Sequence, residues 1–300
     1  MPSPQSRGVV LCADDYGLSE GVSRGIRELI AAGLLTATSA MVTFSRWQHD
    51  AESLRPLRSR ASLGLHINLT AGAPLGPMPL MAPAGTLPDV GSLTRLALTR
   101  RIERQEIRAE VARQLHAFTQ AIGHPPDHID GHQHVHALPV IRDAVLDAID
   151  ADRSCAGALI RDPADQITRI VRRGHQVAKA LALRVLATSF ANMVHKRGYM
   201  TNSGFSGYSA FVVGSDYANE LASALRETGP CHIVMCHPGY GDDELLGRDP
   251  VIARREEELA ALLSWPNLNT AIQTISRPPD GLPIDWPRLC PSTKTREAAS

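Results

Sequence analysis

Short apolar runs alternate with longer stretches of helical periodicity along nearly the whole chain, and nothing else in the sequence constrains the fold as strongly. Residues 8–13 (GVVLCA) form the first run. It is short, partly β-branched and bounded by charge, so it reads as a buried strand of a parallel sheet. Asp14-Asp15-Tyr16-Gly17 follows. Ser19 then suits a helix N-cap, Val22, Ile26, Leu29 and Ile30 make an apolar stripe, and Gly33 suits the position past the helix end. The pattern repeats with a strand at 38–42, a short helix at 47–57 cut by Pro56, and a third strand at 61–69. A helix at 102–122 carries Ile107, Val111, Leu115 and Phe118 at helical spacing. Helices are predicted at 137–151, at 165–186 with a break at Arg172-Arg173-Gly174, from Ser215 through Leu225, and from Asp249-Pro250 onward. Strands are predicted at 157–160, 231–236 and 268–275. Residues 190–200 fit neither pattern, and 202–208 read as a Gly/Ser loop.

Strands feeding crossover helices make βαβ units, which a distorted TIM-like (β/α) barrel and a doubly wound sheet both accommodate. Polar clusters at the ends of several separate strands favour the barrel, where active sites are built at that end. The 300 residues suit one barrel domain over 1–285 followed by a polar tail over 286–300.

Composition excludes several classes. The 31 basic and 31 acidic side chains balance, so the basic excess expected of a nucleic-acid or membrane-surface protein is missing. No run of about 18 apolar residues is present to span a membrane. Residues 1–7 have no apolar leader. The cysteines, Cys12, Cys155, Cys231, Cys236 and Cys290, are odd in number and scattered, which predicts reduced thiols and a cytoplasmic location. No Gly-x-Gly-x-x-Gly or P-loop follows the first strand, and no Gly-x-Ser-x-Gly elbow occurs.

The chemistry gathers at four predicted strand ends: Asp14-Asp15, His66, Asp130/His132 and His237. In an extended strand over 129–136, Asp130, His132, His134 and His136 would share one face, about 7 Å apart per step. Each group alone has a bland reading: a capping turn, a satisfied core histidine, a polar strand, a turn before Pro238. Their recurrence at one end of parallel strands predicts a common cleft. One Asp and two His suit a single divalent ion of the Zn, Fe, Co, Ni or Mn type with open positions. A second carboxylate left free can serve as base, and a histidine, with its ordinary pKa of about 6.5, can serve as acid. The Pro/Gly-rich loop over 71–91 is long for a compact domain, either a functional lid or a surface excursion. Three readings stay open: a metal-assisted amide hydrolase, another barrel metal hydrolase acting on a different amide, an ester or a phosphoester, and a non-catalytic binding protein that keeps a structural ion.

Taken together, Ala13-Asp14-Asp15-Tyr16-Gly17-Leu18-Ser19, Gly64-Leu65-His66, Asp130-Gly131-His132-Gln133-His134-Val135-His136 and His237-Pro238-Gly239-Tyr240 resemble the YdjC/ChbG carbohydrate deacetylases, in the right order over residues 9–263. The resemblance implies a barrel related to that of the polysaccharide deacetylases. It also implies removal of the acetyl group from an N-acetylated amino sugar, such as a chitooligosaccharide. It assigns Asp15, His66 and His132 as ligands of one divalent ion, zinc or magnesium, with cobalt, nickel or manganese also accepted. The choice of His132 over His134 comes from the resemblance alone. Asp14 corresponds to the catalytic base and His237 to the general acid. Arg161 corresponds to a substrate-facing arginine, and His134 and His136 to substrate or supporting groups. Asp162-Pro163-Ala164 departs from the family pattern after Arg161. A homo-oligomer, a dimer in particular, is a family-level expectation.

Overall fold

The computed structural model describes residues 9–272 and 283–290. The chain begins β1 (Val10–Tyr16), α1 (Glu20–Ala31), β2 (Ala37–Ala40), α2 (Trp47–Leu54), β3 (Ser62–Ile67), α3 (Val90–Leu98), α4 (Arg104–Ile122) and β4 (His128–Gly131). It continues α5 (Ile141–Ala151), β5 (Leu159–Ile160), α6 (Ile167–Arg173), α7 (Val177–Leu186), α8 (Phe190–Lys196), β6 (Gly204–Ser206), α9 (Tyr217–Ala224) and β7 (His232–Cys236). The last elements are α10 (Asp243–Leu246), α11 (Ala253–Ser264), α12 (Leu268–Ala271) and α13 (Trp286–Leu289). Ser19 caps α1 as its sequence position predicts, accepting from the Val22 N–H at 3.3 Å.

Among the described residues the sheet has seven strands, all parallel, in the order β5-β4-β3-β2-β1-β7-β6. Every strand but β5 and β6 therefore lies between its sequence neighbours, with β7 returning to β1. The order has no reversal of the kind that marks a doubly wound sheet. The two edges meet: Leu159 bridges Met200 in parallel, and the Ile160 N–H donates to the Met200 carbonyl at 2.9 Å. Asn202 reinforces that seam. Its Oδ1 accepts from the Asp162 N–H at 2.8 Å, and its Nδ2 donates to the carbonyls of Asp162 and Gly204 at 2.9 and 3.0 Å. The result is an α/β fold with a curled, distorted barrel.

Alternation along each strand sorts the side chains into two layers. Leu11, Ala13, Leu63, Leu65, Ile129, Ile160 and Val234 pack outward against helix residues such as Val22, Ile26, Val111, Leu115, Val145 and Leu259. Val10, Cys12, Ala37, Leu159, Phe205, Ile233 and Met235 form the second cluster. Further along the same inward faces, towards the C-terminal ends, come Asp14, Ser39, His66, Asp130 and Arg161, all buried. The barrel interior is therefore apolar below and polar above, and the polar half holds the candidate site.

Several sequence expectations are corrected. Residues 204–206 are a strand, β6, where a loop was predicted; the segment is too short and too rich in Gly and Ser to show period-2 patterning. Residues 190–196 are helical. Residues 268–271 form a helical turn where a strand was predicted, with only Ile272 bridging Val9, and 273–275 lie outside the described residues. Trp286 is buried beside Ile284 in the second cluster and donates from Nε1 to the Asp127 carbonyl at 2.7 Å. Packed chain thus reaches Cys290, beyond the boundary expected at 285; residues 291–300 are outside the description. Cys290 forms a disulfide with Cys231, overturning the expectation of reduced thiols for that pair, while Cys12, Cys155 and Cys236 are free and buried. Among the described residues no single helix is long and apolar enough to cross a membrane.

Candidate active site

The site is built at the C-terminal ends of β1, β3, β4, β5 and β7. In a regular strand Asp14 and Asp15 would face opposite sides. The β1–β2 register shifts between Ala13 and Tyr16, and Asp15 takes φ 70°. That bulge turns both carboxylates into the barrel mouth; Asp tolerates the left-handed region better than most residues.

Asp15 Oδ1 lies 2.9 Å from His132 Nδ1 and 3.3 Å from His66 Nε2. The three ligand atoms lie within 4.8 Å of one another. Asp15 Oδ2 accepts from Arg255 Nη2 at 2.6 Å, and the same nitrogen reaches Asp249 Oδ2 at 2.6 Å. Burial opposes the Asp15 charge, yet Arg255 and His132 hold its carboxyl well below the usual range.

Behind His66, Nδ1 donates to Asp130 Oδ1 at 2.6 Å. Asp130 Oδ2 accepts from Ser39 Oγ at 2.6 Å and pairs with Arg161 Nη2 at 2.5 Å. Arg161 also grips Asp14 with both terminal nitrogens, at 2.7 Å each. A single chain of charge-assisted bonds therefore runs from His66 through Asp130 and Arg161 to Asp14. Burial works against a proton on His66, but the carboxylates of Asp130 and Asp14 more than offset it and raise its pKa to about 10. Gly64 makes room for this network, since a Cβ there would lie 2.3 Å from His128 Nε2.

The residues fit a divalent ion at Asp15, His66 and His132. Two imidazole nitrogens and one carboxylate oxygen converge, and the local field favours positive charge at His66. Two other groupings are close enough in distance, Cys12-His128-Asp130 and Asp14-His66-Asp130. Arg161 already supplies the positive charge of both: its Nη2 lies 3.0 Å from Cys12 Sγ and holds Asp130, while Nη1 holds Asp14.

His237 sits at the end of β7, partly exposed. Its backbone N–H donates to Glu258 Oε2 at 2.6 Å. Burial of its ring nitrogens lowers its pKa to about 4, with Asp15 and Asp14 only partly opposing. Glu258 is itself pushed up to about 7 by burial, against the His237 N–H bond and Arg255.

Three expectations change. Arg161 is fully buried and turned towards Asp14 and Asp130, so it holds those two carboxylates and does not face outward as expected of a substrate-facing group. The strand carrying the histidines stops at Gly131. Residues 132–137 form a 3-10 turn in which Gln133 and His134 have φ 53° and 60°, so the histidines do not share a strand face. Of the three, only His132 reaches Asp15. His136 Nε2 donates to the Arg161 carbonyl at 2.8 Å, and burial lowers its pKa to about 4. His134 packs edge-on against Phe205 and Tyr208. Both read as supports of the β4 and β5 ends, not as substrate contacts. Sequence reasoning missed Ser39, Asp130 as a partner of His66, Arg255, Asp249 and Glu258. Asp130 was visible within the histidine motif. Arg255 carried no signal, because it lies 240 positions from the aspartate it holds.

The loop after β3 is fastened to α4. Glu110 Oε1 accepts from the Leu75 N–H at 2.9 Å, and Glu106 accepts from those of Leu80 and Met81 at 3.0 and 2.9 Å.

The chain is similar to several known proteins. A chitooligosaccharide deacetylase of Proteus mirabilis is 32% identical over 66% of this chain and 81% of its own length. One from Serratia marcescens is 31% identical over 79% of this chain and 84% of its own. A carbohydrate deacetylase of Mus musculus is 29% identical over 80% of each. A crystal structure from Enterococcus faecalis, of a protein named for cellobiose-phosphate cleavage, has the same fold: TM-score 0.65 at 20% identity, covering 89% of this chain and 96% of that one. The family described as YdjC-like protein matches residues 8–273, and this chain belongs to it.

Proposed function

We propose that this protein hydrolyses the acetyl group from an N-acetylated amino sugar of the chitooligosaccharide type, releasing acetate. The observation that carries the reading is the meeting of Asp14, Asp15, His66 and His132 in one buried mouth, with His237 beside it. The names of the relatives support the substrate class.

A divalent ion held by Asp15, His66 and His132 would supply Lewis-acid polarisation of the acetamide carbonyl and a lowered pKa for water. Asp14 takes a proton from the attacking water on a carboxylate oxygen. Arg161 keeps that carboxylate aimed, because two parallel bonds fix its plane. With a pKa of about 4, His237 is neutral at rest. It therefore gains during turnover the proton that it delivers to the departing nitrogen. Water loses one proton to Asp14, the nitrogen gains one, and the C–N bond breaks to acetate and free amine. A two-ion phosphoesterase is disfavoured because Arg161 fills both other groupings.

The test is acetate release from a panel of N-acetylated mono- and oligosaccharides, using EDTA-treated enzyme reloaded with Zn, Mg, Co or Ni. Metal-dependent acetate from a panel member is expected. None from any member, with an ion bound, would overturn the reading.

A further inference from the structure

His237 has its main chain secured and its side chain left to something other than a hydrogen bond. The backbone N–H is held by Glu258, as above. The ring nitrogen Nδ1 is buried and meets no hydrogen-bond partner among the described residues. A working imidazole is ordinarily oriented by a carbonyl or carboxylate on its second nitrogen. The group against this ring is Phe211, with ring centres 5.1 Å apart and planes at 72°.

Phe211 is itself closely placed. It has φ 55°, in the left-handed region where a bulky side chain is rare. Its N–H donates to Ser209 Oγ at 3.0 Å. Lys179 Nζ donates to the Ser209 carbonyl at 3.0 Å and lies 5.1 Å over the Phe211 ring. Further along, the Gly214 N–H donates to Glu257 Oε1 at 2.8 Å, and Ser215 Oγ donates to the Val212 carbonyl at 2.8 Å. Gly207, at φ 97°, brings the loop so close to β7 that a Cβ would lie 2.0 Å from the Met235 carbonyl oxygen. The loop thus rests directly on the strand that ends in His237.

We propose that Phe211 is a positioning residue for His237. Its edge-to-face contact sets the imidazole plane in place of a hydrogen bond to Nδ1, and leaves Nε2 for the departing nitrogen. The inference rests on the deacetylase reading for its catalytic consequence, and on ring geometry alone for its structural one.

The test compares Phe211→Leu with Phe211→Tyr. Phe211 is a partly exposed loop residue, so both variants are expected to fold with unchanged melting temperature. In crystals of Phe211→Leu the His237 ring is expected to occupy two or more χ2 orientations, its backbone still on Glu258. In wild type and Phe211→Tyr it keeps one. On a substrate that the wild type turns over, Phe211→Leu should lose roughly tenfold or more in kcat with KM little changed, and Phe211→Tyr should restore it. A single ring orientation in Phe211→Leu, or a loss carried wholly by KM, would overturn the proposal. If the wild type releases no acetate at all, the deacetylase reading fails, and the ring orientations still decide the role of Phe211.

Discussion

Replacing Arg161 with Met should cost the protein both stability and activity, and the structure sets the size of the first effect. The guanidinium is fully buried and makes two 2.7 Å bonds to Asp14 and one 2.5 Å contact to Asp130. Methionine fills most of the volume but supplies no charge, so two carboxylates remain buried without their partner. Removing one side of a buried pair costs about 3–5 kcal/mol. At about 2–4 °C per kcal/mol for a chain of this order of size, the melting temperature should fall by roughly 6–20 °C. Arg161→Lys should recover part of this, since an ammonium keeps the charge but cannot grip Asp14 bidentately. The decisive arm is the double variant Arg161→Met/Asp14→Asn. If the unpaired Asp14 charge is the cause, the double variant should be more stable than the sum of the single effects predicts, by on the order of 1–3 kcal/mol. Urea denaturation of the four proteins measures this. A cost below about 1 kcal/mol for Arg161→Met, or strict additivity, would refute the ion-pair account.

Further outcomes follow from the same geometry. Asp14→Asn should retain the bound metal and lose turnover, whereas His66→Ala should lose both; metal analysis beside acetate release separates them, and near-full activity in Asp14→Asn would remove Asp14 as base. In EDTA-treated protein, the pKa of His66 is raised from 6.5 to about 10. The folded state therefore binds its proton more tightly than the unfolded state, so its contribution to stability is full below about pH 6.5 and disappears as pH rises through about 10. Melting curves across that window should slope downward in wild type and flatten in His66→Gln. The Cys231–Cys290 bond closes a loop with a sequence separation of 59 and ties α13 to the start of β7. Cys290→Ser should lower stability by about 2–4 kcal/mol in urea, and an unchanged midpoint would show that the bond does not form in solution.

The chain itself determined the ring of alternating strands and helices and the end of the barrel where chemistry gathers. Runs such as 8–13 and 231–236 are apolar over their whole length, and the polar residues that follow them are local signals. Asp14, Asp15, His66 and His237 stood out because each lies at the end of an apolar run, whereas His132 was singled out from His134 only by the family resemblance. The bulge that aims both aspartates inward was not readable, because nothing in Asp14-Asp15-Tyr16-Gly17 shows the register shift against β2. The histidine run looked like one strand face, yet its chain turns at Gly131, and each imidazole then finds a different neighbour. The family resemblance cast Arg161 as substrate-facing, whereas its guanidinium is turned to Asp14 and Asp130, since only closure of β5 beside β4 shows which carboxylates await it. β6 has three residues and takes its strand identity from β7, 28 positions on. Arg255 reaches Asp15 across 240 positions. Periodicity reports which face of an element is buried. Which buried groups meet depends on barrel closure, where pairing is set by geometry between elements far apart in the chain, and that part only the tertiary structure decided.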